Sequence, residues 1–437
     1  MTNQHRPWAP ATLQVHAGYT PGELQNTATV PIYQSAAYEF ESFAAARDIF
    51  ALRKTGNLYS RTGNPTNSVL EKRVAALDGG VGALATASGQ SAVAIALLAL
   101  VRGGQHIVAS SKLYGGTVDL LADTFADFGI GVTFADPGDV EAWSTATTDA
   151  TRAWFVESIG NPTASLPDLR ALATAAHRLD VPLVVDNTVA TPVLQRPIEN
   201  GADVVVYSAT KFLGGHGNSL GGVIVDGGSF DFGARPERWT QFTTHSERFG
   251  ITFLTDLGDA SPYLTYAKAK LAHDLGPALS PFNAFLLLQG LETLDLRIAR
   301  HGASALLVAE HLARHPLVAT VHHAGLPDHP DYAIGQRDFP HGTGSVFAFD
   351  LAADESEVGP FIDRLQLFSL VANIGDARSL VVHPATTTHS RFTAEQRAAA
   401  GISLTTIRLS IGLEDPADLI DDLDGALAAV KRQEVAA

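Results

Sequence analysis

The sequence predicts an α/β protein, with a large domain around a mostly parallel sheet and a smaller C-terminal α+β domain. Short β-branched runs recur without polar alternation at 106–110, 132–135, 153–157, 183–186, 204–207 and 223–225, as strands buried on both faces require. Amphipathic stretches such as 166–179 fall between several of them, giving the βαβ rhythm of a parallel sheet. Beyond a long helical pattern over about 281–315, strand-like pieces at 345–350 and 404–409 alternate with helical ones at 357–368 and 416–432. That mixture sets the second, smaller domain apart.

In chain order, residues 1–62 form an irregular arm carrying Pro7, Pro10, Pro21 and Pro31, with one amphipathic stretch at 43–53. Residues 63–290 are assigned to the α/β domain and 291–437 to the C-terminal domain. Helices are expected over 67–77 and 91–101, the second opened by Ser88, Gly89 and Gln90. Residues 228–262, rich in Gly, aromatic and polar residues, interrupt the rhythm and read as an inserted surface excursion.

Composition removes several classes of function. The 437 residues carry 30 basic and 46 acidic side chains, a formal charge of −16, with no basic run. That balance argues against nucleic acid and anionic membrane surfaces as partners. The longest apolar run, 93–101, falls far short of the ~18–20 residues of a membrane span, and the N-terminal string has no secretory pattern, so a cytoplasmic protein is expected. With no Cys there is neither a disulfide nor a thiolate metal site. His311 and His315 have helical spacing and His322 and His323 are adjacent, but no carboxylate pattern accompanies them, and no metal is expected. Only seven residues are Lys, at 54, 72, 112, 211, 268, 270 and 431, so chemistry that needs an amine has few candidates.

Four elements carry chemistry. Asp186 closes the apolar run 183–186, at the strand end where α/β sheets bind ligands. Lys211 follows the next strand inside Tyr207-Ser208-Ala209-Thr210-Lys211 and precedes a Gly-rich turn. An amine that can bond an aldehyde, beside a carboxylate that can hold a pyridinium nitrogen, is the pairing that pyridoxal phosphate requires. Ser88-Gly89-Gln90-Ser91 opens a helix whose N–H groups suit a cofactor phosphate. Tyr114, in Lys112-Leu113-Tyr114-Gly115-Gly116-Thr117, can lay a ring on a flat heterocycle. Taken singly each is ordinary: a strand-end Asp caps turns, a loop Lys is solvated, and Gly-rich turns are packing features. Their order along one chain points to a site.

These residues, with Tyr59-Ser60-Arg61-Thr62-Gly63-Asn64-Pro65-Thr66 and the strings 14–18 and 408–414, resemble the Cys/Met-metabolism (trans-sulfuration) family of pyridoxal-phosphate enzymes over nearly the whole chain. The insertion and the run 279–285 resemble its O-acetylhomoserine sulfhydrylase branch. The resemblance implies the aspartate-aminotransferase-like fold (fold type I). It implies that Lys211 holds the cofactor covalently and moves protons, that Asp186 pairs with the ring nitrogen, and that Tyr114 stacks on the ring. Gly89, Gln90, Ser208 and Thr210 would bind the phosphate, joined by Tyr59 and Arg61 from a neighbouring subunit. Asn161 would lie near the phenolic oxygen, and Arg408 and Asn373 would bind the substrate carboxylate. Relatives often carry Met where this chain has Gln90, a departure that leaves backbone binding intact and the packing nearby open.

The activity implied is γ-replacement on O-acetyl-L-homoserine by sulfide or a small thiol, giving homocysteine or methionine and acetate, in methionine biosynthesis. A homo-oligomer is implied, a tetramer built as a dimer of dimers. The nearest alternative is another member of the family, a cystathionine γ-synthase, γ-lyase or methionine γ-lyase. Asn373 and Arg378 favour the sulfhydrylase, with Arg378 expected to disfavour the ammonium group of a cysteine-derived thiol. A nucleotide-binding module is disfavoured because no P-loop or dinucleotide Gly pattern follows a strand. A non-catalytic scaffold is disfavoured because no key position is missing.

Overall fold

Short strands buried at nearly every position build the centre of the molecule, a computed structural model that describes residues 8–431. The first seven residues of the expected arm and the tail from 432 onward lie outside the described residues, and the helix expected over 416–432 already stops at Leu427. Seven strands form the main sheet: β1 (Gly82–Thr86), β2 (His106–Ser110), β3 (Gly131–Ala135), β4 (Thr151–Glu157), β5 (Leu183–Asp186), β6 (Val204–Ser208) and β7 (Gly222–Asp226). Their order is β1-β7-β6-β5-β4-β2-β3. β3, β2, β4, β5 and β6 are parallel, whereas β7 runs antiparallel to both β6 and β1.

Both faces are covered, which is why β4 to β6 read as unbroken apolar runs. Along β6, Val205 and Tyr207 enter one core with Trp154 and Val185, while Val204 and Val206 enter the other with Phe155 and Val184. Each fully buried aliphatic side chain contributes about 1.5–3 kcal/mol relative to exposure. The helix Gly89–Leu98 lies in the second core through Ala92, Val93, Ile95, Ala96 and Leu97. β1 escapes the sequence pattern because Gly-Ala-Leu-Ala-Thr is poor in β-branched residues. Its pairing with β7 over five residue pairs makes it a strand.

The second sheet comprises β8 (Val318–His322), β9 (Val346–Leu351), β10 (Ser369–Leu370), β11 (Leu380–Val382) and β12 (Thr406–Ser410), in the order β10-β11-β12-β9-β8. Only β10 and β11 pair in parallel.

Three expectations need correction. The long helix expected over 281–315 is two helices, Pro281–Leu291 and Leu294–Leu312. The chain turns at Glu292 and Thr293, and the Gly290 carbonyl accepts from Arg297 Nη2 at 2.7 Å. The helix expected over 357–368 stops at Arg364 because the Gln366 and Leu367 amides donate to the Asp422 carboxylate, both at 2.9 Å. The stretch 228–262 is no simple surface excursion: Phe232, Trp239, Phe242 and Phe253 are buried and pack with Tyr263 and Tyr266 beyond it. The arm behaves differently. Its helix Phe43–Phe50 buries no residue, and Phe43 and Phe50 stand 87% and 66% exposed.

Candidate active site

Three parallel strands end side by side, and their last residues furnish one wall of a cavity of about 210 Å³. Asp186 at the end of β5 lies in register beside Glu157 at the end of β4, and Ser208 closes β6. The carboxyl end of a parallel sheet is where such folds bind ligands. The cavity is also lined by Ser88, Gly89, Gln90, Tyr114, Asn161, Thr188, Thr210, Lys211, Asn373 and Arg408. Ten of the twelve residues expected at the site therefore meet in one chain: Gly89, Gln90, Tyr114, Asn161, Asp186, Ser208, Thr210, Lys211, Asn373 and Arg408. The other two, Tyr59 and Arg61, do not line this cavity. The Arg61 guanidinium instead lies over the Tyr59 ring, 5.2 Å from its centroid.

Asp186 lines the cavity half-buried, and its carboxylate accepts from the Thr188 amide at 2.9 Å. Burial raises its pKa and the Thr188 hydrogen bonds oppose the rise. Glu157, which also goes into the wall, accepts from the Tyr114 amide at 2.6 Å. Burial, with the adjacent Asp186 charge, pushes its pKa well up. Two neighbouring carboxyls in one largely buried site resist ionising together, and the donors at Thr188 help keep the charge on Asp186. A cation set against Asp186 would stabilise that charge further.

Lys211 Nζ donates to Asn373 Oδ1. Burial, and then the positive charge of Arg408, lowers its pKa from 10.5 to about 8. Such an amine gives up its proton far more readily near neutral pH than an ordinary lysine does. Arg408, on β12, is 3% exposed. Its Nη1 donates to Asn161 Oδ1 at 3.2 Å and its Nη2 to the Asn373 carbonyl at 3.0 Å, while its Nε is buried without a partner. No carboxylate pairs with it among the described residues, and burial lowers its pKa to about 10. A buried guanidinium served only by neutral acceptors is a ready receptor for an anionic ligand.

Opposite, Ser88 caps the helix Gly89–Leu98 and accepts from the Ser91 amide. The Gly89 and Gln90 amides, among the orphan donors of a helix start, suit a phosphate. Only glycine fits at 89, since a Cβ there would stand 2.4 Å from Ser208 Cβ. The donors, the poised Lys211 and the strand-end Asp186 together fit pyridoxal phosphate: Gly89, Gln90, Ser208 and Thr210 toward its phosphate, Asp186 toward its ring nitrogen and Lys211 toward its aldehyde.

Glu157, Thr188 and Thr388 line the cavity without having been singled out in the sequence. The strand-end argument that found Asp186 applies equally to Glu157. Thr388 comes from a loop with no local signal. Arg378 does not line the cavity; its side chain is 71% exposed and lies beside Asp376. The expected discrimination against cysteine-derived thiols is thus not made by direct contact from Arg378 in this cavity. Of the histidines weighed as ligands, His311 meets Asp424 at 2.7 Å and His322 meets Asp350 at 2.8 Å. Among the described residues no helix is long and apolar enough to cross a membrane.

Fold and site thus define a lysine-bearing α/β enzyme of the pyridoxal-phosphate class. Residues 11–428 match the model of the Cys/Met metabolism PLP-dependent enzymes, and the chain belongs to that family. It is 46% identical to the O-acetyl-L-homoserine sulfhydrylase of Leptospira meyeri, with 97% of each chain aligned. It is 45% identical to that of Corynebacterium glutamicum, over 97% of this chain and 98% of the relative. A crystal structure of a Campylobacter jejuni protein named as an O-acetylhomoserine (thiol)-lyase, containing a pyridoxyl-lysine monophosphate, superposes with a TM-score of 0.93. It is 36% identical and covers 97% of this chain and 100% of its own.

The lowered pKa makes a direct prediction. In cofactor-free protein, trace acetylation of Lys211 read by mass spectrometry should reach half its maximal rate near pH 8. A midpoint near the ordinary lysine value would show that the cavity does not desolvate the amine.

Proposed function

We propose that this chain catalyses γ-replacement on O-acetyl-L-homoserine, with sulfide or a small thiol as the incoming group, yielding homocysteine or methionine and acetate. The observation that carries the reading is Arg408, buried at 3% exposure without a carboxylate partner among the described residues and sharing Asn373 with Lys211 in one cavity. It is supported by relatives named O-acetyl-L-homoserine sulfhydrylases at 45–46% identity over nearly their whole length.

Pyridoxal phosphate, when bound, supplies a carbonyl carbon for the substrate amine and an electron sink for charge developing at Cα. Arg408 holds the substrate α-carboxylate with its planar fork, and Asn373 fixes both the fork and the amine of Lys211. Asp186 keeps a proton on the ring nitrogen. Lys211 Nζ takes the proton from Cα and later returns one. Across the turnover the Cγ–O bond breaks, acetate leaves with the electron pair, and the thiol's sulfur bonds Cγ after losing its proton. Lys211 and Arg408 are the cations lining the cavity from this chain, and both have assigned work. A succinyl ester's second carboxylate would find no further cation there, which supports the acetyl ester as substrate.

The reading extends to assembly: a cytoplasmic homo-oligomer, a tetramer of paired dimers, in which Tyr59 and Arg61 complete the phosphate site of a neighbour. Its support is that both residues stay outside their own chain's cavity while the arm helix exposes Phe43 and Phe50. A two-fold contact would complete both sites at once.

Replacing Arg408 by Lys exchanges a fork for a point charge. Steady-state kinetics of Arg408→Lys should show KM for O-acetylhomoserine raised about 10- to 100-fold. A change confined to kcat would remove Arg408 as the carboxylate anchor. Purified Lys211→Ala and Arg61→Ala, each inactive, should regain activity when their subunits exchange, because one site of a mixed dimer then carries neither lesion. No recovery after demonstrated exchange would assign Arg61 to its own subunit.

A further inference from the structure

The Gln90 side chain does work that its backbone role in a phosphate cradle does not explain. Its Nε2 donates to the Gly116 carbonyl at 2.8 Å, joining residues 26 positions apart. Gly116 belongs to the turn that carries Tyr114, where the Thr117 and Val118 amides donate to the Tyr114 carbonyl at 2.9 and 3.1 Å. The Tyr114 ring lies directly against Gly116: a Cβ on that glycine would stand 2.6 Å from Tyr114 Cε1. Whatever holds Gly116 therefore sets the ring. Among the described residues no side-chain hydrogen bond reaches the Tyr114 hydroxyl, so the ring's attitude rests on its backbone. On the other side, Glu157 holds the Tyr114 amide at 2.6 Å.

We propose that Gln90 is a positioning residue, a clamp that ties the Tyr114 platform to the start of the helix Gly89–Leu98. One residue then serves two ends: its amide faces the cofactor phosphate and its side chain fixes the aromatic ring meant for the cofactor's face. Phosphate and ring would be registered to each other through a single side chain. Methionine at this position could fill the same space but could not donate to the Gly116 carbonyl. The inference rests on the reading of Tyr114 as the platform for the cofactor ring.

The test compares the full-length chain with Gln90→Met, which keeps length and removes the donor, and Gln90→Glu, which sets an acceptor against the carbonyl. Hydrogen exchange at the Thr117 and Val118 amides should quicken roughly five- to tenfold in Gln90→Met, as loss of one hydrogen bond dictates, and further in Gln90→Glu. In the cofactor-loaded protein, visible circular dichroism of the bound cofactor should fall and kcat should drop. Cofactor affinity should stay within about threefold, since the backbone amides remain. Wild-type exchange in Gln90→Met overturns the clamp whatever the activity. A large loss of cofactor affinity overturns it too, making the side chain a phosphate ligand. A wild-type chain that takes up no cofactor would refute the platform reading instead, while the exchange comparison still decides whether Gln90 holds the turn.

Discussion

Four ionisable side chains, Glu157, Asp186, Lys211 and Arg408, share one largely buried cavity, and no ion pair joins any two of them among the described residues. Burying unpaired charge is costly, and proteins meet that cost by shifting protonation or supplying hydrogen bonds. Both responses occur here. The carboxyls have raised pKa values and Lys211 a lowered one. Neutral groups serve the charges: Thr188 for Asp186, the Tyr114 amide for Glu157, Asn373 for Lys211, and Asn161 with Asn373 for Arg408. The arrangement keeps the charges of Asp186, Lys211 and Arg408 available to a ligand.

That constraint explains the topology. Parallel pairing sets Glu157 beside Asp186 at the ends of β4 and β5, while β6 runs two residues further to Ser208, whose amide donates to the Thr188 hydroxyl at 2.8 Å. Arg408 comes from the other sheet, where β12 is held between β11 and β9. Its guanidinium reaches Asn161 on the loop after β4 and so links the two sheets across the cavity. The buried Arg297 has a related task, since its donation to the Phe212 and Leu213 carbonyls steadies the turn after Lys211.

Much of the site was legible because its residues sit at strand ends or in compact strings. Asp186 closes an apolar run, Lys211 follows the next one by a few residues, and Gly89 opens a helix. Glu157 obeys the same rule as Asp186 and was legible in principle. What stayed hidden depends on distant contact. Gln90 meets Gly116 only after folding, and Thr388 arrives from a loop of the C-terminal region. The fold follows the same division. The β-branched strands of the main sheet were legible, but β1 is made a strand by its partner, and the break before Leu294 depends on Arg297 and Gly290. The aromatic stretch 228–262 misled because Phe and Trp separated by Gly and polar residues show no helical or strand period, although they pack into a core.

The central claim is that Lys211, one lysine of seven, carries the cofactor. Borohydride reduction of the yellow holoenzyme, followed by peptide mapping, tests it most directly. The account predicts one pyridoxyl group per chain, on the peptide containing Lys211, with the other six lysines unmodified. A pyridoxyl group on another lysine, or a reduced protein that carries none, would contradict it.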